Sequence, residues 1–184
     1  TEMNYWPAET CALGEMSEPL FRMVDALRVS GAETAKQFYG ARGSVSHHNT
    51  DAWAMSNPVG GQNKGCAVWA YWQMSFGWLC RHLYEHYLFT LDKTFLYEKA
   101  LPCLKAAARF YLDILTDVDG KLTVSPATSP ENSFIIGENR QSVARAAAMS
   151  DAIVREVMDE VRAACAVLGV EDEILAEIDA VYPR

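Results

Sequence analysis

The sequence is short of positive charge. Its 16 lysines and arginines face 24 aspartates and glutamates, for a formal net charge of −8. Nucleic-acid binding needs a basic footprint that displaces counterions from the phosphates, so this balance disfavours a DNA or RNA partner. It also weighs against adhesion to anionic membranes. No C-x-x-C pair occurs among Cys11, Cys66, Cys80, Cys103 and Cys165, and the count is odd. A disulfide framework and a cysteine zinc site are therefore not expected, and most of the thiols read as small buried hydrophobes. No apolar run approaches the roughly 20 residues that a bilayer requires. The longest, Cys66 to Cys80, is interrupted by Gln73 and Ser75. A glycine-rich phosphate loop, a G-x-S-x-G elbow and a fixed-period repeat are missing as well.

What is present suits one domain. The chain has 184 residues, of which 50% are apolar and 22% charged. That is a globular composition with enough length to bury a core. Aromatic residues make up 11% of it, with five tryptophans. Tryptophan either lines a sugar or ligand cleft or fills core volume.

Along the chain the pattern is mainly helical. The first fifteen residues read as irregular and aromatic. Ser17-Glu18-Pro19 opens a helix with a capping residue and a proline in its first turn, Gly31 punctuates it, and a second helical piece runs to Tyr39. A long loop spans 40–65, with a strand-like piece at Ser44-Val45-Ser46. Cys66 to Leu91 reads as one buried helix, and Thr94 to Leu115 as another that Pro102 breaks or kinks. A turn at Asp117–Gly120 and a strand at Leu122–Val124 precede a second long loop, 125–140. A helix over 143–168 stopped by Gly169, and a last one over 171–181 stopped by Pro183, complete the chain. Helices apolar on most sides need helical neighbours, which suggests part of a larger helical assembly.

Three clusters could carry chemistry. His82-Leu83-Tyr84-Glu85-His86 fits H-x-x-E-H, with both histidines on one helix face. It reads as packing, as substrate lining, or as an inverted zinc site with Glu85 as base. His47-His48-Asn49-Thr50-Asp51, with Trp53 after it, offers hydrogen-bonding groups beside an aromatic platform, as a sugar requires. The same residues could instead bond their own loop. Glu131 follows Ser129-Pro130 and precedes Asn132. A rigid loop can hold such an acid in a partly dry cleft and raise its pKa toward proton donation; the plainer reading is a solvated charge. The acidic set Glu156, Asp159, Glu160, Glu171, Asp172 and Glu173 reads as a solvated face, with Arg155 and Asp159 spaced for a pair.

Taken together, these segments resemble a known family. Met3-Asn4-Tyr5-Trp6-Pro7-Ala8-Glu9-Thr10, then Tyr39-Gly40-Ala41-Arg42-Gly43 with His47-His48-Asn49-Thr50-Asp51 and Trp53, are two of the matching motifs. Trp78-Leu79-Cys80 with His82-Leu83-Tyr84-Glu85-His86-Tyr87, and Ser125-Pro126-Ala127-Thr128-Ser129-Pro130-Glu131-Asn132-Ser133-Phe134, are the others. Their order and spacing resemble glycoside hydrolase family 95, the inverting α-L-fucosidases, which also includes α-L-galactosidases. Met149-Ser150-Asp151 keeps a T-M-D pattern of that family loosely, and Gln73 stands where the family often has proline.

The resemblance implies a mainly α fold that is part of an (α/α)6 barrel, with short β pieces in long loops. It makes residues 1–184 a partial catalytic domain, truncated at both ends. The chain starts without methionine and stops at Tyr182-Pro183-Arg184, which fits that expectation. Glu131 matches the family's general acid. The family's aspartate base lies in a glycine-rich motif far downstream, and its N-x-N asparagines would stand just before Thr1. Trp6, His48, Asn49, Asp51, Trp78 and Asn132 are the expected sugar-binding residues. The implied reaction is single displacement on terminal α-L-fucose, expected in α-1,2 linkage, without cofactor or catalytic metal. The implied partners are a fucosylated glycan and the remainder of the barrel, and the implied location is secreted or periplasmic. Two rivals remain: a zinc hydrolase built on His82, Glu85 and His86, and a non-catalytic helical module that binds carbohydrate or a partner.

Overall fold

The computed structural model describes residues 2–61 and 65–182. Gln62-Asn63-Lys64 of the first long loop, and Pro183, read as the last helix stop, lie outside them. The helices are α1 (Glu2–Thr10), α2 (Glu18–Thr34), α3 (Ala67–Ala70), α4 (Ser75–Thr90), α5 (Lys93–Phe95), α6 (Leu101–Ile114), α7 (Ala148–Leu168) and α8 (Glu173–Val181). Two π-helical turns prolong them: Ala35–Tyr39 ends α2, and Leu96–Ala100 joins α5 to α6. Pro102 falls in the first turn of α6, so its missing N–H is absorbed by the π turn ahead of it rather than by a break.

The packing sorts the helices into two layers. Phe21 of α2 meets Phe95 at 5.2 Å at one end, and Tyr39 meets Phe110 of α6 at 5.2 Å at the other, so α2 and α6 run parallel. Helix α8 runs with them: Arg109 of α6 pairs with Glu173 at 3.6 Å, and Arg42 bridges Asp113 (2.8 Å) and Glu177 (2.6 Å) one helical turn further on. The other layer runs the opposite way. Tyr111 Oη, near the end of α6, donates to Met74 O at the start of α4 at 3.1 Å. Lys93 Nζ, at the start of α5, donates to Val167 O near the end of α7 at 3.3 Å. Arg81 of α4 pairs with Glu156 of α7 at 2.8 Å, and His86 near the end of α4 pairs with Glu9 near the end of α1 at 2.6 Å. Helices α1, α4 and α7 therefore form one parallel layer and α2, α6 and α8 the other, alternating along the chain. Between the layers lies a continuous core that includes Leu20, Leu27, Phe76, Leu79, Leu83, Leu104, Phe110, Tyr111, Val161 and Ile178.

Several sequence expectations give way to tertiary contacts. The first stretch is helical, not irregular: Ala8 is buried and Glu9 is anchored on His86, so docking on α4 outweighs Pro7 within the helix. Gly31 does not interrupt α2. A side chain there would meet Val45 O at 2.5 Å, so the glycine admits the loop backbone, whose Val45 N donates to Gly31 O at 3.2 Å. Ser44-Val45-Ser46 is accordingly an extended thread between α2 and α6 rather than a strand, with Ser44 N donating to Ala106 O at 3.0 Å. Cys66 to Leu91 is two helices, because Gln73 and Met74 in the break serve other segments: Gln73 Nε2 donates to Pro126 O at 3.2 Å, and Met74 O receives Tyr111 Oη. Ser17 precedes α2 without a side-chain capping bond, whereas Asp92 and Asp172 do cap α5 and α8.

The β structure is local. Strands β1 (Leu115–Val118) and β2 (Lys121–Val124) form a hairpin whose turn residues Asp119 and Gly120 both have positive φ, 56° and 83°. Strand β3 (Ala127–Thr128) pairs with β6 (Val143–Ala144), and β4 (Phe134–Ile136) pairs with β5 (Asn139–Gln141) between them. Residues 143–147, read as the start of a helix, belong to this β excursion, and α7 begins at Ala148. Gly169, with φ 64°, ends α7 as its sequence position predicts. Among the described residues no helix is long and apolar enough to cross a membrane.

Candidate active site

The layer geometry decides where the two long loops lie. Each leaves the C-terminal end of a helix in the α2/α6/α8 layer and returns to the N-terminal end of a helix in the α1/α4/α7 layer. Both therefore sit at one end of the molecule. The short connections, 91–92 and 169–172, lie at the other.

At the loop-bearing end a cleft of about 440 Å³ opens, lined by His48, Asn49, Thr50, Trp72, Trp78, Pro130 and Met149 among others. Its wall is aromatic: His48 meets Trp72 edge-on at 6.3 Å, and Trp72 meets Trp78 at 5.7 Å. His48 Nδ1 lies 3.0 Å from Asn49 Oδ1, so the two lining side chains hold each other in place. Two lining residues carry buried polar atoms without a protein partner among the described residues, Trp72 Nε1 and Thr50 Oγ1. A cleft with an aromatic platform and unpaired hydrogen-bonding atoms matches the two faces of a sugar ring. An adjoining hollow of about 420 Å³ shares Trp78 and Met149 and adds Trp6, Arg81, Glu85 and Glu156.

The cleft is held by a buried residue next to it. His47 is fully buried. Its Nδ1 stands 2.7 Å from Ser56 O and its Nε2 2.6 Å from Tyr39 Oη. A carbonyl only accepts, so Nδ1 carries the proton and Nε2 accepts from the tyrosine. Burial pushes the imidazole pKa below its ordinary value, with the Ser56 carbonyl working in the opposite sense. His47 is thus a loop anchor, and His48 is the member of the pair that reaches the cleft.

Of the residues expected from the sequence, the structure brings His48, Asn49 and Trp78 together, with Trp6 on the adjoining hollow. Asp51 does not line the cleft. Its Oδ1 accepts from Trp53 N at 3.0 Å and Met55 N at 3.1 Å, which closes its own loop. Ser129 to Asn132 is a tight turn, with Asn132 N donating to Ser129 O at 2.6 Å and Asn132 Nδ2 to Ser129 Oγ at 3.3 Å. The turn puts Pro130 on the cleft wall and leaves Glu131 and Asn132 exposed, so the partly dry setting expected for Glu131 is not made by these residues.

The H-x-x-E-H segment resolves into separate roles. His86 is enclosed by Glu9 and by the rings of Phe21 (5.0 Å) and Phe95 (4.6 Å), while His82 is buried with its pKa lowered by desolvation. Among the described residues no three His, Cys, Asp or Glu side chains are gathered as a metal would need. Sequence reasoning missed Trp72 and Met149 as cleft residues. Trp72 sits in the unforeseen break before α4, and Met149 at a helix start placed too early. The cysteines divide: Cys80, Cys103 and Cys165 are buried, and Cys11 and Cys66 exposed.

With this geometry in view, the sequence comparisons are specific. The profile of the glycosyl hydrolase family 95 catalytic domain matches residues 1–184. Alpha-L-fucosidase 2 of Arabidopsis thaliana is 40% identical over 177 residues, 95% of this chain and 20% of that protein. Probable alpha-fucosidase A of Aspergillus niger is 33% identical over 137 residues, 71% of this chain and 17% of that protein. The chain thus spans about one fifth of the length of these curated relatives.

Proposed function

Since the chain belongs to glycosyl hydrolase family 95, we propose that it supplies the sugar cleft and the general acid of an inverting α-L-fucosidase acting on terminal, α-1,2-linked fucose. The carrying observation is the gathering of both long motif loops at one end of the helices, around the cleft of His48, Asn49, Trp72 and Trp78. The alternating layers support a reading as part of an (α/α)6 barrel, with residues 1–184 as a partial catalytic domain whose remainder supplies the base. On this reading the enzyme acts outside the cytoplasm, secreted or periplasmic.

In the proposed reaction, Trp72 and Trp78 take the apolar face of the fucose, and His48 and Asn49 bond its hydroxyls. Trp6 flanks the adjoining hollow, where the aglycone would lie. Asp51 acts through the loop it closes, and Asn132 through the Ser129–Asn132 turn. Glu131 protonates the leaving oxygen while a water, activated by the base, attacks the opposite face. Carboxyl pairs of inverting enzymes stand roughly 6.5–9.5 Å apart to admit that water. Glu131 is exposed here, so its proton-donating environment is completed on assembly with the rest of the domain.

The test is the anomer released by the full-length protein from a fucosyl-α-1,2-galactoside, followed by NMR before mutarotation. Initial appearance of β-L-fucose supports the proposal. Initial α-L-fucose, or no hydrolysis of the fucoside, overturns it.

A further inference from the structure

Helices α4 and α7 run side by side, and the hollow holding Trp6 and Trp78 continues between them toward their C-terminal halves. There it widens to about 560 Å³, lined by Arg81, Tyr84, Glu85, Leu88, Glu156 and Glu160 among others. Its charge is unbalanced. Glu85, Glu156, Asp159 and Glu160 face Arg81 and Arg155, and Arg81 is already paired with Glu156 at 2.8 Å.

Glu160 is the anomaly. The sequence reads it as part of a solvated face, yet it is only 8% exposed, and its Oε2 has no hydrogen-bond partner among the described residues. Burial pushes its carboxyl up to about 8, and Glu156, Glu85 and Asp159 add to that while Arg81 opposes it. Other titratable groups beside it are Cys80, whose buried thiol is raised, and Tyr84, whose phenol is raised by burial and by Glu160. A buried carboxylate without a partner is costly, and a well-placed cation offsets much of that cost. Tyr84 is half-buried beside it and presents an aromatic ring to the groove, a surface that also favours cations. Exposed Leu88 adds an apolar contact.

We propose that this part of the groove is a docking surface for a segment from outside residues 1–184 of the same protein, which brings an arginine or lysine side chain onto Glu160. The charge imbalance fixes the sign of the incoming group, and the unpartnered oxygen fixes where it lands. The length of the curated relatives, of which this chain spans about one fifth, supplies ample chain for such a segment. The proposal rests on the reading of residues 1–184 as one part of a longer domain, but not on its substrate.

The experiment is thermal unfolding of the full-length protein and its Glu160→Gln variant from pH 4 to 9, with Glu138→Gln, in the turn between β4 and β5, as control. A cation-paired Glu160 has a depressed folded pKa, so its stabilisation is complete above the unfolded carboxylate range and disappears as pH falls through the folded value. The expected result is a Tm about 5 °C or more below wild type for Glu160→Gln at pH 7. The gap should close toward pH 4, and Glu138→Gln should match wild type throughout. Because glutamine keeps the shape of the side chain, failure of this variant alone to fold at pH 7 also supports a charge partner. If Glu160 has no cation, its folded pKa stays raised, and wild type loses stability relative to the variant as pH rises from about 5 to 8. A Glu160→Gln variant as stable as wild type, or more stable, with its advantage growing over that range, overturns the proposal. Neither outcome depends on fucoside turnover.

Discussion

Tyr39 Oη and His47 Nε2 meet at 2.6 Å, which joins the last turn of the α2 segment to the loop residue just before His48. The bond locks one imidazole tautomer, because the opposite ring nitrogen is committed to Ser56 O. It places a buried fixed point one residue from the cleft. Removing the hydroxyl as Tyr39→Phe leaves Nε2 buried without a donor, at a cost of about 1–3 kcal/mol. In the full-length protein we expect KM for an aryl α-L-fucoside to rise several-fold with kcat little changed, since in the proposed reaction His48 and Asn49 bind rather than react. A fall in kcat at constant KM would contradict this assignment.

The same burial predicts a pH dependence. The folded pKa of His47 is held below its ordinary value by desolvation, and His82 is shifted in the same direction. As pH falls below about 6.5 the unfolded chain takes up protons that the folded chain resists, so stability must decline. Unfolding midpoints should drop between pH 7 and pH 5, and His47→Gln should remove part of that slope even if it lowers the midpoint overall. A slope unchanged by both His47→Gln and His82→Gln would show that other groups set it.

Asp51 allows a clean separation of loop closure from sugar contact. Its Oδ1 receives two backbone N–H groups, from Trp53 and Met55. Asparagine retains that acceptor and alanine does not. In the full-length protein, Asp51→Asn should keep fucoside KM within about two- to threefold, while Asp51→Ala loosens the loop and costs roughly 1 kcal/mol of stability. Equal, large losses of binding in both variants would indicate a carboxylate that touches the sugar.

Glu131 carries the most specific chemical prediction. In the full-length protein, Glu131→Gln removes the proposed proton donor and keeps the shape, and kcat on a fucosyl-α-1,2-galactoside should fall by at least about 10²-fold. Fucosyl fluoride, whose leaving group needs little protonation, should lose much less. Glu138→Gln should do little on either substrate. Equal losses on both substrates would make Glu131 a loop anchor instead.

Gly31→Ala tests the thread between α2 and α6. A methyl group there would lie 2.5 Å from Val45 O and 3.0 Å from Val45 N, both backbone atoms that cannot rotate away. Overpacking of this kind costs on the order of 1–3 kcal/mol, despite the better helix propensity of alanine. The unfolding midpoint should fall by several degrees, and a rise would mean that the thread is not held as described.

Local sequence signals determined the helical class, a turn within Asp117–Gly120, the stop at Gly169 and the two long loops, because each depends on periodicity or on turn chemistry within a few residues. The motif order also determined the family. Only the tertiary structure decided which of those residues share a cleft. His47 and His48 are neighbours in sequence, yet one is a buried anchor and the other a cleft wall, and that choice depends on Tyr39 and Ser56. Trp72 joined the site through a break before α4 that Pro126 and Tyr111 impose from distant segments. Glu160 went from an exposed charge to a buried one because α7 lies directly against α4. Spacing on a helix says which residues share a face; it does not say what that face will meet. The partner helix sets the dielectric around a side chain and the hydrogen bonds within its reach, and with them its charge and its role.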